Sequence, residues 1–286
     1  MKYAYYPGCS LHASAAEYDI SWKAVCERLD IQLVEMEDWS CCGTVHATSV
    51  DRLLAMALAA RNLSIAEETG LEVAVPCSGC YKNLRTTDEE LKEDADLRER
   101  INGSLQRRSF KGVTAVKHPL YILLEDVGLD GLAELPRPLH GLKVAPYYGC
   151  VLTRPAAKQP VDDAEDPQGL DRLLEALGAE VVPYPAKTKC CGGAVLLSHT
   201  DVSVDLTGQL LMQAKEAEAE CIAVACPMCQ MALDAYQSQV ERRLGTKLAL
   251  PVLYFTQLLG LALGVDRGRL GLGRLVVSPA NVLAKV

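Results

Sequence analysis

Ten of the chain's 12 cysteines fall into two sets of five. Cys9, the pair Cys41-Cys42 and the motif Cys77-Ser78-Gly79-Cys80 make the first set; Cys150, Cys190-Cys191 and Cys226-Pro227-Met228-Cys229 make the second. Written as spacings these are C-x31-CC-x34-CxxC and C-x39-CC-x34-CxxC, with four of the five cysteines displaced by a constant 149 positions. Agreement of that order marks an internal duplication. Only the stretch between the lone cysteine and the pair changes, by eight residues.

Thiols in this pattern suit metal ligation or dithiol redox chemistry. A CxxC at a helix N-terminus gains thiolate character from the helix dipole and free backbone N–H groups. Adjacent cysteines, with Cα atoms about 3.8 Å apart, aim both sulfurs at one region only where the chain turns sharply. Gly43 and Gly192 permit that turn. A structural zinc takes four ligands, so five thiols per half leave one over. Soft thiolates in excess suit iron-sulfur clusters, which spread ligands over several irons. The ferredoxin run C-x2-C-x2-C-x3-C-P is absent, so electrons are expected from another polypeptide. Zinc and plain dithiol chemistry remain the alternatives. Cys26 and Cys221 lie outside the repeat and read as small buried apolar residues.

The elements that must position these thiols follow from local pattern. Lys2 to Tyr6 is rich in β-favouring aromatics and runs into Pro7-Gly8-Cys9. Apolar residues at helical spacing over Ala13 to Leu29 predict a helix, Ile31 to Met36 a second strand, Leu53 to Glu68 a helix capped from Ser49, and Glu72 to Pro76 a third strand. The second half repeats the plan from Leu142 to Tyr148 onward, with a helix Leu170 to Leu177, another over Leu206 to Ala219 and a strand Ile222 to Ala225. Each half thus reads β-α-β-α-β-α. The fold class expected is α/β, two similar halves, each with a mainly parallel sheet flanked by helices and the cysteine loops at the carboxyl ends of the strands. The halves divide as residues 1–135 and 136–286, with the best linker over 128–138. The charged run 86–110 reads as solvated helix, the extra eight residues fall in the loop 151–169, and Leu250 to Val265 reads as a core helix, too short and too interrupted to span a bilayer.

Bulk composition excludes several classes. With 49% apolar and 23% charged residues the 286-residue chain reads as globular rather than disordered. A net charge of -8 without large basic clusters argues against nucleic acid. The start, Met1-Lys2-Tyr3-Ala4-Tyr5-Tyr6, lacks the apolar stretch of a signal peptide. So many cysteines without an export signal are expected to be reduced, and the protein cytoplasmic. No GxGxxG follows a strand, so neither flavin nor nucleotide binding is encoded.

The doubled pattern, together with Tyr147-Tyr148-Gly149-Cys150, Lys189-Cys190-Cys191-Gly192-Gly193 and Cys226-Pro227-Met228-Cys229-Gln230-Met231, resembles the CCG cysteine-rich domain family, specifically the B subunit of heterodisulfide reductase, over nearly the whole chain. The resemblance implies a noncubane 4Fe-4S cluster on each set. Cys9, Cys41, Cys42, Cys77 and Cys80 would hold one; Cys150, Cys190, Cys191, Cys226 and Cys229 would hold the other. A disulfide would be reduced, or formed, between them. Implied partners are a ferredoxin-like C subunit and a flavin-containing A subunit. A noncatalytic electron-transfer or docking subunit of a dehydrogenase complex is the alternative.

Around the thiols, His12 and His46 follow the first cysteines closely and could protonate a leaving thiolate, although Thr153 and Val195 replace them in the second half. Lys187, Lys189 and Arg154 could meet an anionic substrate or balance cluster charge. For each, a solvated or hydrogen-bonded loop residue is the plain alternative. Met228, inside a CxxC, is expected to pack near the thiols.

Overall fold

A computed structural model describes residues 1–132, 136–154 and 162–286. In the first half β1 (Lys2–Tyr5), β2 (Gln32–Glu35), β3 (Val73–Ala74) and β4 (Val116–Lys117) form one sheet in the order β2-β1-β3-β4. In the second, β5 (Lys143–Tyr147), β6 (Glu180–Val181), β7 (Cys221–Val224) and β8 (Val252–Tyr254) form another in the order β6-β5-β7-β8. Every pairing is parallel. Parallel neighbours need helical crossovers, so both faces are covered and the strands can be apolar throughout. β7, Cys-Ile-Ala-Val, is buried at every position.

The helices follow from caps and spacing. Those used below are α1 (Ala16–Arg28), α2 (Thr44–Val50), α3 (Arg52–Thr69), α4 (Ser78–Glu93) and α5 (Ala95–Ser104) in the first half. The second half contributes α6 (Gly169–Ala176), α7 (Thr200–Glu216), α8 (Gln237–Leu244) and α9 (Phe255–Ala262). α3 starts at Asp51, not Ser49: the Asp51 carboxylate accepts from Leu53 N at 2.8 Å and Leu54 N at 3.1 Å. Ser49 instead closes α2, donating to the His46 carbonyl. The charged run expected as one helix is two, parted at Asp94, whose carboxylate caps α5 through Leu97 N.

Each half has a fourth strand that the local pattern does not announce. β4 is two residues long, and β8 occupies the start of the apolar run expected to be wholly helical, with α9 following at Phe255. Pairing with β7 explains the break, since Val252, Leu253 and Tyr254 are held extended opposite Ile222, Ala223 and Val224. The register also locates the lengthened connection. Lys2 pairs with Gln32 whereas Lys143 pairs with Glu180, so most of the extra residues lie between β5 and β6. Of that loop, residues 155–161 lie outside the described part, as do residues 133–135 of the expected linker.

The halves share a core. Tyr18 of α1 stacks on Tyr254 at 4.1 Å and 13°, Ser21 meets Thr256 at 2.7 Å, and all four side chains are buried. Stacked aromatics of this kind contribute about 1 kcal/mol beyond the area they bury. The C-terminal segment returns to the first half, where Arg269 pairs with Glu27 and Gly271, at φ +66°, lies so close to Glu17 that a Cβ would approach its Cα to 2.8 Å.

Candidate functional site: two thiol sets on adjoining sheet edges

β1, β2 and β3 end at Tyr5, Glu35 and Ala74, and Cys9, Cys41-Cys42 and Cys77 follow each end within a few residues. β5 and β7 do the same for Cys150 and Cys226, while Cys190-Cys191 follows β6, which ends at Val181, after a longer loop. In each half the chain changes direction across the sheet between the first strand and the third, which is where open α/β sheets leave a crevice. Cys77 and Cys226 precede helices that begin at Ser78 and Pro227.

Within the first set Cys9 and Cys41 lie 3.8 Å apart and Cys42 and Cys80 3.2 Å apart, sulfur to sulfur. In the second, Cys191 and Cys229 are 3.5 Å apart. The two sets also meet: Ser78, inside the first CxxC, donates to the carbonyl of Ala225, just before Cys226, at 2.9 Å. Exposure divides each set in the same way. Cys9, Cys41 and Cys190 are exposed and Cys150 is half-buried, whereas Cys42, Cys77, Cys80, Cys191, Cys226 and Cys229 are buried. Each half therefore offers an outer pair and an inner three. Among the described residues no three His, Cys, Asp or Glu gather as they would around one ion.

Local backbone serves the sulfurs. Gly43 N points to Cys41 Sγ at 3.4 Å, Gly192 N to Cys190 at 3.3 Å and Gly193 N to Cys191 at 3.3 Å. Gly8 and Gly149, at φ +69° and +70°, precede the lone cysteines, and a Cβ there would stand 3.1 Å from Cys80 Sγ or 2.9 Å from Cys229 Sγ. Only glycine combines that conformation with that approach. Tyr6 donates to Ser40 O at 2.7 Å and Tyr147 to Lys189 O at 2.6 Å, so in both halves a buried hydroxyl fixes the carbonyl just before the cysteine pair.

Hydrogen bonding among the thiols separates their acidities. A bond from Cys41 lowers Cys42 to about 4, and one from Cys150 lowers Cys190 to about 6. Cys226 is held well below the ordinary thiol range by the neighbouring thiols of Cys229 and Cys77, while Cys77 is pushed up beside it. Thiolates are the ligating and nucleophilic form. Cys26 and Cys221 are buried and their thiols pushed up by desolvation, as inert apolar residues should be.

The other candidates separate clearly. His12 faces Glu35 at 3.2 Å and sets its ring edge-on to Trp39 at 5.1 Å. His46 bonds Thr44 and reaches Ala194 O of the second half at 3.3 Å. Lys187 is occupied by Pro167 O at 2.6 Å, Asp166 at 2.7 Å and Asp171 at 3.3 Å, and Arg154 by Glu165 at 2.6 Å and Ala164 O at 3.1 Å. Lys189 is exposed beside Cys190. Met228 packs beside Gly193, where a Cβ would lie 3.3 Å from its own. Sequence reasoning missed His118, which follows β4 at the same edge, wholly buried between the two CxxC turns. Its signal was a His-Pro step at a helix start, which carries meaning only once β4 is recognised as a strand.

Two parallel sheets, each delivering five thiols to one edge and meeting along it, define a tandem cysteine-rich α/β protein. The chain belongs to the CCG family, described as a cysteine-rich domain, which matches residues 3–85 and 144–234. It is 35% identical to the 8-methylmenaquinol:fumarate reductase membrane anchor subunit of Wolinella succinogenes, over 98% of this chain and 99% of that protein. It is 32% identical to the B subunit of the ferredoxin/F(420)H(2)-dependent CoB-CoM heterodisulfide reductase of Methanosarcina acetivorans, over 100% and 97% respectively. A hypothetical protein from Helicobacter pylori shares the fold, with a TM-score of 0.80 over 97% of this chain at 13% identity; the chain spans about half of it, 52%. Among the described residues no helix is long and apolar enough to cross a membrane.

Proposed function

We propose that the chain is the catalytic subunit of a heterodisulfide-reductase-like complex and reduces, or forms, a disulfide between two noncubane 4Fe-4S clusters. Cys9, Cys41, Cys42, Cys77 and Cys80 would hold one cluster and Cys150, Cys190, Cys191, Cys226 and Cys229 the other, in domains 1–135 and 136–286. The observation that carries this reading is the meeting of two equivalent five-thiol sets, each with a more accessible outer pair and a buried inner three. The donor set fits a multi-iron group. All ten ligands are soft, glycine keeps side chains away from Cys80 and Cys229, and backbone N–H groups already face three sulfurs.

When bound, the two groups would each supply one electron and one iron site to a substrate sulfur. The chain's own part is positional. The inner thiols anchor from below, the outer pairs leave an approach from solvent, and Tyr6 and Tyr147 hold the cysteine-pair loops at a fixed height. Two electrons and two protons turn one disulfide into two thiols, and the electrons would come from partners, a ferredoxin-like C subunit and a flavin-containing A subunit. So many cysteines in this pattern suit a reducing, cytoplasmic setting.

The second reading is a noncatalytic electron-transfer or docking subunit, favoured by the name of the Wolinella relative, which places it in a fumarate reductase. A single-turnover experiment separates the two. Dithionite-reduced protein, freed of reductant, is mixed with an excess of a disulfide, and released thiol is counted. About two thiols per chain support the catalytic reading; reoxidation by a ferredoxin but by no disulfide supports the docking one.

A further inference from the structure

His118 Nε2 lies 2.8 Å from the Pro76 carbonyl and 3.2 Å from the Ala225 carbonyl. These are equivalent positions of the duplication, displaced by the same 149 residues and each one residue before the first cysteine of a CxxC. A single N–H is thus shared between the same peptide group of both halves. Leu120 N donates to Nδ1 at 3.2 Å, so Nδ1 is the acceptor and Nε2 carries the hydrogen. Tyr81, Tyr121 and Phe255, with ring centroids 5.8, 6.1 and 6.2 Å away, hold the imidazole in place.

The arrangement is one-sided. Ser78 also donates to the Ala225 carbonyl, at 2.9 Å, while its equivalent, Pro227, has no hydroxyl to return. At the end of β8 the residue in the place of His118 is Tyr254, which stacks on Tyr18 instead. Both of these donors therefore belong to the first half, and both act on the turn that carries Cys226. A peptide group so held cannot shift without its counterpart.

We infer that His118 is a positioning residue that locks the two CxxC turns into one body, with Ser78 as a second tie, so that a change at one thiol set is felt by the other. This goes beyond the proposed function and rests on it only for what the thiols hold. The coupling itself belongs to the protein.

The test uses the full-length chain and the variants His118→Phe, His118→Gln and Ser78→Ala, compared at equal iron content. The rate of iodoacetamide labelling is read at each cysteine by mass spectrometry. His118→Phe keeps a ring but no donor; Cys77 and Cys226 should both label about tenfold faster, the scale of losing one buried hydrogen-bond donor, with Cys26 and Cys221 still protected. His118→Gln, which can place a donor where Nε2 stands, should restore the wild-type rates. Acceleration confined to Cys77 and Cys80, or identical behaviour of the Phe and Gln variants, overturns the inference. Should His118→Phe unfold and expose Cys26 and Cys221, Ser78→Ala decides, because it must accelerate Cys226 in the other half and an unchanged Cys226 overturns the coupling. Absence of iron and sulfide would defeat the cluster reading and leave this comparison intact.

Discussion

The hydroxyl of Ser78 donates to the carbonyl of Ala225 at 2.9 Å, joining the turn of one CxxC to the turn of the other across 147 positions of sequence. The duplicated halves are therefore not two beads on a string. Their cysteine-bearing edges are joined at the two CxxC turns.

Glycine before each lone cysteine should be indispensable. Gly149→Ala puts an L-residue at φ +70° with its Cβ 2.9 Å from Cys229 Sγ, and Gly8→Ala does the same at φ +69° with 3.1 Å to Cys80. Strain of this kind costs about 1 to 3 kcal/mol. Both variants should melt lower than wild type and retain less iron, Gly149→Ala the more severely. Thermal melts and iron assays on the pair check the order.

The two tyrosine hydroxyls should contribute unequally: each donates to the carbonyl preceding a cysteine pair, but the Ser40 carbonyl also accepts from Asn62 Nδ2 at 2.9 Å. Tyr6→Phe and Tyr147→Phe preserve the rings, and the second takes from the Lys189 carbonyl the donor that fixes it. Tyr147→Phe should lower the unfolding free energy by about 1 to 2 kcal/mol and Tyr6→Phe by less. Urea denaturation reads this directly, and additivity in the double variant would show the two loops to be independent at that level.

Of the basic residues singled out from sequence, Lys187 should matter for stability and Lys189 should not. The Lys187 ammonium is held by Asp166, Asp171 and the Pro167 carbonyl and lies over the Tyr148 ring at 5.8 Å. Lys187→Met leaves those acceptors unmatched at a largely buried site and should cost about 1 to 3 kcal/mol. Lys189→Met, at an exposed position, should melt within error of wild type.

Acid should loosen the seam through His118. Desolvation lowers its pKa to about 4, against the hydrogen bonds to the Ala225 and Pro76 carbonyls and the nearby Cys226, which raise it; Tyr81 and Tyr121 are the other titratable side chains facing the ring. The unfolded chain, with an ordinary imidazole near 6.5, then binds the proton more readily than the folded one. The stabilisation is complete above about pH 6.5 and is lost as pH falls toward 4, by about 2 kcal/mol at pH 5. Unfolding at pH 7 and pH 5 should show that loss in the wild type and a smaller one in His118→Gln.

Much of this was legible in the residues. The cysteine spacings carry the duplication, and aromatic or β-branched runs broken by Gly, Pro and helical periods carry three strands of each sheet. A strand as short as Val116–Lys117 has no period to read and exists because β3 offers it an edge. His118 was hidden for that reason. Nor could spacing reveal that Ser78 and Pro227 differ in consequence, because their difference acts only where the halves touch. Lys187 and Arg154 stood open between a substrate or cluster contact and a solvated charge, because sequence shows charge and not the carboxylates that engage it.

The most direct measurement is iron and acid-labile sulfide per chain on protein purified without oxygen. Two four-iron groups on ten thiols require about eight of each. Zinc without sulfide would contradict the cluster reading.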